Sequence, residues 1–413
     1  MQNMLIPHFE RQLIEEHRRD GYWIEAMRIG DSSGYDLVGY GLNMGEVNWY
    51  HNSDWNKRPI VELSGPVGMH HADINRNGRA DIVICYQYGA TMVDCDPTGG
   101  KIAWLENPGT LDGTWTQHFI GRATAMHRLK IGHFTQKEKL EVLALPIVGE
   151  PHNIHSIAPV LLFTEPDTIY AASEWPCTKI DTTNYRVTHG VSIKRVKNNA
   201  GTYLDTALLA SEEGISWLAF DAANRRWQRH LIGTGETSQV AQTGFKGSGD
   251  VDAGIIGKDH FAYIAAVEPF HGNTVAVYCK DGNQESPVQV QWNRVVLDVY
   301  GETDSHGEGP GHFVICADFD NDGDDEFLVA LRGPMPWQGV FYYKAIDARN
   351  GVFTKWRVSS DSAARIAVAD FDGDGRLDFA TIGYAVQGYY VAENPQIAVF
   401  YNKFAPTERV PSR

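Results

Sequence analysis

The chain has 413 residues, 43% of them hydrophobic and 11% aromatic, and a formal net charge of −16. That much apolar material supports a large core, while the lack of any long uninterrupted apolar run excludes a membrane-spanning helix. The acidic balance argues against nucleic acid and anionic membrane as partners.

Taken in chain order, seven segments open with an apolar strand pattern, at residues 23–29, 69–74, 129–134, 191–196, 242–247, 313–319 and 365–371. Each is followed by a polar turn and a second strand. The third strand is often aromatic, as in Val47-Asn-Trp-Tyr50, Ile102-Ala-Trp-Leu105, Ile215-Ser-Trp-Leu218 and Val340-Phe-Tyr-Tyr343. The last strand pairs an aromatic with basic and β-branched residues, as in Trp115-Thr-Gln-His-Phe-Ile120 and Trp227-Gln-Arg-His-Leu-Ile232. Repeating four-strand units of this length are propeller blades. The expectation is an all-β, seven-bladed β-propeller forming one domain over 1–413, with blades near 22–62, 67–121, 126–181, 186–233, 240–299, 311–359 and 362–403 plus 6–14. The last unit has only three strands, and Pro7-His-Phe-Glu-Arg-Gln-Leu-Ile14 matches the missing fourth. The N-terminal strand would then close the ring and remove an exposed sheet edge. Only a helical turn near Glu15 to Arg18 interrupts the β pattern.

Three turns between first and second strands are acidic. They are Asp73-Ile-Asn75-Arg-Asn77-Gly-Arg-Ala-Asp81, Asp318-Phe-Asp320-Asn-Asp322-Gly-Asp-Asp-Glu326 and Asp370-Phe-Asp372-Gly-Asp374-Gly-Arg-Leu-Asp378. Oxygen ligands at alternate positions, a glycine at the bend and a closing acid suit a structural calcium ion. The blade-two version, with two asparagines, is the poorest of the three. The five cysteines lack metal-site spacing, and Cys85 and Cys316 fall in strands as buried thiols. Residues 1–13 lack a signal-peptide core, which implies an intracellular chain or a mature secreted one.

Histidines recur where the inner strands are entered: His70 and His71 in blade two, His127 beside Arg128 in blade three, His189 after Arg186 in blade four, and His306 and His312 in blade six. Aligned on their turns, His127 and His312 occupy one equivalent position and His189 joins them after a two-residue shift. His71 falls four residues further along the same strand face. A mouth lined by imidazoles and guanidiniums suits elimination at a carbon beside a carbonyl or carboxylate. Arginine stabilises the charged oxygen, and histidine moves the protons. A His-rich mouth would also accept a divalent metal such as zinc. His152 and His155 lie in a blade-three insertion that could overhang the channel. A glycoside hydrolase would need paired carboxylates across the cleft, and the carboxylates here are mostly in the turns.

Several stretches resemble the propeller part of the aldos-2-ulose dehydratase family, among them Asp20-Gly-Tyr-Trp-Ile-Glu-Ala26, Met69-His-His-Ala-Asp-Ile74, Trp104-Leu-Glu-Asn-Pro-Gly109, Met126-His-Arg-Leu-Lys130 and Phe270-His-Gly-Asn-Thr-Val275. That family eliminates water from keto-sugars and carries a cupin region after the propeller. The chain stops at Arg413, so the accompanying isomerase activity is not expected. A second resemblance, to the L-rhamnose-α-1,4-D-glucuronate lyase family, implies β-elimination from a uronate. It makes His51 and His71 the matching histidines and Arg128 and Arg186 the matching arginines, while the dehydratase resemblance points to His127. The combined expectation is a carbon–oxygen lyase acting on a carbohydrate. His71, His127 and His51 are the candidate catalytic residues, and Arg128, Arg186, His189, His271, Asn273, His306 and His312 the candidate substrate contacts. The rhamnosyl-glucuronate linkage stands ahead of the aldos-2-ulose or 1,5-anhydrofructose substrate. A non-catalytic, calcium-stabilised binding propeller is the reading from another class.

Overall fold

In a computed structural model, which describes residues 5–30, 34–197, 201–238, 244–282 and 286–406, the chain is an all-β, seven-bladed propeller. Seven four-stranded antiparallel sheets succeed one another along the sequence. Their first strands are Trp23–Met27, Gly68–Ala72, Met126–Gly132, Gly190–Lys197, Asp250–Ile256, Gly311–Ala317 and Arg365–Ala369. Each first strand touches the next one, and the seventh touches the first, so these strands ring the central axis. The seventh blade takes its outer strand from the N-terminus: Phe9–Glu15 pairs antiparallel with Ile397–Asn402. Among the described residues the only helical element is a 3₁₀ turn, Ala348–Asn350; the stretch from Glu15 to Arg18 is the end of a strand and a bend, in which both Arg18 and the Tyr50 hydroxyl bond the Glu15 carboxylate.

Five of the second strands are buried along their whole length, as in Asp81–Tyr86, Glu326–Leu331 and Asp378–Ile382, while those of blades four and five are exposed only at their first residues. Blades pack face to face, so a middle strand has no solvent side and reads as a continuous apolar run. The outer strands are part-exposed, as in Lys57–Glu62. Two of them contain an Ile-Gly step, at Ile120-Gly121 and Ile232-Gly233. A Cβ on Gly121 would lie 2.3 Å from the Phe163 ring, and one on Gly233 2.1 Å from the Tyr278 ring. Glycine there lets the next blade's aromatic ring sit directly on the strand.

In blades two, three, six and seven the acid that opens the second strand closes the turn before it. Asp81 accepts from Ile74 N, Glu141 from Phe134 N, Glu326 from Phe319 N and Asp378 from Phe371 N, all at 2.8–3.0 Å. Three asparagines after third strands then stitch blade to blade. Asn52 Nδ2 donates to Phe371 O, Asn107 Nδ2 to Ile29 O and Asn402 Nδ2 to Phe319 O. Each donates its backbone N–H to the opening acid of its own blade, Asp36, Asp81 or Asp378.

The first strand of blade five differs from the sequence expectation of 242–247. Gln242 and Thr243 lie outside the described residues, and the inner strand is Asp250–Ile256. An apolar pattern was the wrong cue, because this strand faces a polar axis. Asp250 and Asp252 accept backbone N–H groups from Val314 and Cys316 of blade six.

Candidate active site at the head of the central channel

Four imidazoles from four consecutive blades meet where the inner strands begin. Ring centroids of His127 and His189 are 5.1 Å apart, those of His189 and His271 4.8 Å, and those of His271 and His312 5.0 Å. Each ring is held by a different part of the fold. His189 donates from Nδ1 to Gly249 O at 2.8 Å, and His312 donates from Nδ1 to Ala364 O. His271 donates from Nδ1 to the Glu308 carboxylate at 2.9 Å. His127 accepts at Nε2 from Arg128 Nη1 at 3.0 Å and from the Tyr22 hydroxyl at 3.2 Å.

Arg128 is fully enclosed, 1% exposed. Its Nη1 also reaches Val67 O, and its Nη2 donates to the Tyr22 oxygen and to His189 Nε2, both at 2.9 Å. A second guanidinium, Arg332, donates from Nε to Gly309 O and from Nη2 to Glu308, and lies 4.9 Å over the Tyr384 ring. Its Nη1 is buried without a hydrogen-bond partner, as are Nε2 of His271 and Nε2 of His312. A third, Arg365, is stacked 3.5 Å over Trp23 and 4.1 Å over Phe313.

This environment fixes protonation. Burial, then the Arg128 charge, holds His127 and His189 well below the ordinary histidine value. Burial, with the His271 and Arg332 charges, does the same for His312. Burial also lowers His271, although Glu308 opposes it. Burial alone would raise Glu308, but His271 and Arg332 hold it down to about 2. Burial pushes Asp250 up to about 6 against the pull of Arg365. The site therefore presents neutral imidazoles beside permanent positive charge near pH 7.

Nitrogen atoms of His189, His271 and His312 lie within 4.8 Å of one another, a donor set that fits zinc. Of the three Nε2 atoms, those of His271 and His312 are unpartnered, while that of His189 accepts from Arg128 Nη2. Above the cluster is a cavity of only about 20 Å³, lined by Tyr22, Tyr88, Met92, His127, His271 and Tyr389 among others.

The other sequence candidates lie elsewhere. His71 is near the far end of its strand, 3.8 Å from the Glu25 carboxylate and held low by burial despite it. His51 bonds Asp36 at 2.9 Å beside the Asn52 stitch, at the opposite end of the blade from the cluster. Arg186 pairs with Glu213 at 2.7 Å, Asn273 donates to Gly301 O, and His306 is on the surface beside Asp304. His155 bonds Glu212, and the backbone of His152 bonds Val93 O, so their insertion bridges blades two and four. Glu308, Arg332, Tyr22, Tyr384 and Arg365 were not anticipated. Two of them carried a sequence signal, Tyr22 inside the Asp20–Ala26 stretch of the family resemblance and Glu308 inside His306-Gly-Glu-Gly-Pro-Gly-His312.

Carboxylates of Asp370, Asp372 and Asp374 approach within 4.8 Å, and so do those of Asp318, Asp320 and Glu326. Each group already meets a lysine: Lys403 Nζ contacts Asp372 at 2.7 Å, and Lys344 Nζ contacts Asp320, Asp322 and Glu326 at 2.7–2.8 Å. Asp73, Asn75 and Asn77 in blade two are engaged with backbone N–H groups of their own turn, and both Asp81 oxygens also accept backbone N–H groups.

Residues 99–281 match the family described as aldos-2-ulose dehydratase, beta-propeller domain. The chain is 40% identical to aldos-2-ulose dehydratase of Phanerodontia chrysosporium over 427 aligned positions, covering 98% of this chain and 47% of that protein. The resemblance to aldos-2-ulose dehydratase is thereby shown. The chain spans about half the length of this dehydratase. The matched stretch contains His127, Arg128, His189 and His271 but stops before Glu308 and His312. Residues 318–381, from the blade-six acidic turn to the blade-seven one, match an FG-GAP-like repeat. A solved structure, YCF48 from Cyanidioschyzon merolae, covers 95% of this chain and 98% of its own at 11% identity and a TM-score of 0.50, which is a likeness of fold alone.

Proposed function

We propose that the chain is a carbon–oxygen lyase that removes water from a keto-sugar of the aldos-2-ulose or 1,5-anhydrofructose kind by β-elimination. The observation that carries this reading is the convergence of His189, His271 and His312, two of them with open, buried Nε2 atoms, beside His127 and two guanidiniums. The similarity to the dehydratase supports a keto-sugar over the rhamnosyl-glucuronate linkage that sequence reasoning put first. So does the position of the residues on which the uronate reading leaned. His51 is engaged with Asp36, and Arg186 with Glu213. Arg128 has both terminal nitrogens occupied by protein acceptors.

In this reading the sugar's keto oxygen sits against Nε2 of His271 and His312 and Nη1 of Arg332, three of the buried polar atoms of the site that have no protein partner. Arg332 stabilises the negative charge that the oxygen gains as the neighbouring C–H is broken. His127, which lines the cavity beside His271, takes that proton at Nε2, for which it has to release the hydrogen bonds from Arg128 and Tyr22. His127 returns that proton to the β-hydroxyl, which leaves as water as the carbon–carbon double bond forms. Zinc held by the three imidazoles would add Lewis-acid polarisation of the keto oxygen. Ligand pockets are typically about 300 Å³ or more, so the roof formed by Met92 and Tyr389 has to open for a sugar to enter. Calcium in the blade-seven turn is proposed as a structural ion only. Turnover of 1,5-anhydrofructose by the wild type, and its loss in His271→Ala and His127→Ala with the fold intact, tests the proposal; full activity in both variants would sink it.

A further inference from the structure

The loop before blade six supplies a side chain with no role in the account so far. Glu308 Oε2 is shared by two partners on opposite sides, His271 Nδ1 at 2.9 Å and Arg332 Nη2. His271 comes from the turn after the second strand of blade five, and Arg332 follows the second strand of blade six. One carboxylate therefore ties two blades together across the channel mouth. Its loop is itself anchored, since Gly309 N donates to His271 O at 2.6 Å and Arg332 Nε to Gly309 O at 3.1 Å. At Gly309 a Cβ would meet the Gly272 backbone at 2.7 Å, so the loop lies directly on the His271 turn.

We infer that Glu308 is the positioning residue of this site: it holds the His271 proton on Nδ1, leaving Nε2 open toward His189 and His312, and aims Arg332 Nη1 at the same place. The chemistry requires such a group. A neutral imidazole is a ligand or base only at its unprotonated nitrogen, and a carboxylate accepting from the other nitrogen selects which one that is. His312 is oriented by a carbonyl, Ala364 O, and His189 by another, Gly249 O. His271 alone among the three relies on an ionised side chain, and that side chain also holds Arg332, whose Nη1 is buried without a partner.

This inference rests on the proposed elimination site, but its test can be separated from it. The ring nitrogens of His271 are read by long-range ¹H–¹⁵N NMR of the full chain, with the signals assigned from His271→Gln. The Zn²⁺ dissociation constant is measured by chelator competition, and kcat and KM with 1,5-anhydrofructose. In Glu308→Ala, the ring should lose its single Nδ1-protonated form, Zn²⁺ binding should weaken by about 10–100-fold, and kcat should fall by a similar factor. Glu308→Gln keeps the side-chain volume and decides the matter where the alanine variant does not fold. An unchanged His271 ring pattern with Zn²⁺ affinity within about twofold of wild type overturns the inference. A changed ring pattern in a protein whose wild type acts on neither sugar upholds the positioning role and removes only the functional reading.

Discussion

Arg128 Nη2 donates to Nε2 of His189 at 2.9 Å, so the guanidinium that the sequence offers for a substrate carboxylate is already bound to an imidazole. Its other contacts reach Tyr22, His127 and Val67 O. Arg128 is thus the hub that orders half of the channel mouth. Replacing it with methionine strands these acceptors in a dry interior. Leaving buried partners unpaired costs about 1–3 kcal/mol each, so Arg128→Met should lower Tm by several degrees and abolish turnover. Arg128→Lys should recover little of either, because one ammonium cannot span the four acceptors. Thermal melts and steady-state rates check both.

His51 should behave as a structural residue. His51→Ala should leave kcat on a keto-sugar within about twofold of wild type while losing about 1 kcal/mol of stability, the usual net value of one hydrogen bond. His312→Ala should do the reverse, with kcat down at least about 100-fold. Equal losses of activity in both variants would return weight to the uronate reading.

Lys344 stands in for a cation in the blade-six turn. In Lys344→Gln the carboxylates of Asp320, Asp322 and Glu326 lose their shared ammonium and repel one another. The variant should melt at a lower temperature in chelator and regain most of the difference with added calcium, whereas the wild type should gain less. Calorimetry with and without calcium decides this.

Asp250 gives a pH signature. Its folded value, about 6, lies above the unfolded carboxylate value. The folded state therefore holds a proton that the unfolded state has released, and stability is lost as pH rises from about 4 to about 6. Asp250→Asn keeps an acceptor for Val314 N and removes the titration. The difference in unfolding free energy between variant and wild type should shift in the variant's favour across that window, by at most about 3 kcal/mol, and stay level above it. Denaturant melts at several pH values measure it.

The propeller was legible because each blade repeats local signals. The second strands are mainly apolar after their first residues, and every acid-closed turn carries its own carboxylate within seven residues of the N–H it caps, as Asp378 does for Phe371. The alignment of His127, His189 and His312 followed from the same repeat. Blade five was misread because Asp250 and Asp252 face the channel, where an apolar cue fails. The pairing of Glu308 with Arg332 and His271 was unreadable for another reason. It forms across blades, between residues far apart in sequence, and no periodicity encodes it. His51 looked catalytic because its neighbourhood in sequence matched a motif, whereas the fold uses that corner to join blade one to blade seven.

The most direct measurement is incubation of the purified chain with 1,5-anhydrofructose and, separately, with a glycan capped by rhamnosyl-glucuronate, following the ultraviolet absorbance of the conjugated product and the release of rhamnose. The account predicts a conjugated enone from the keto-sugar, lost in His271→Ala, and no rhamnose from the glycan. Rhamnose release with an unsaturated uronate, and no reaction of the keto-sugar, would contradict it.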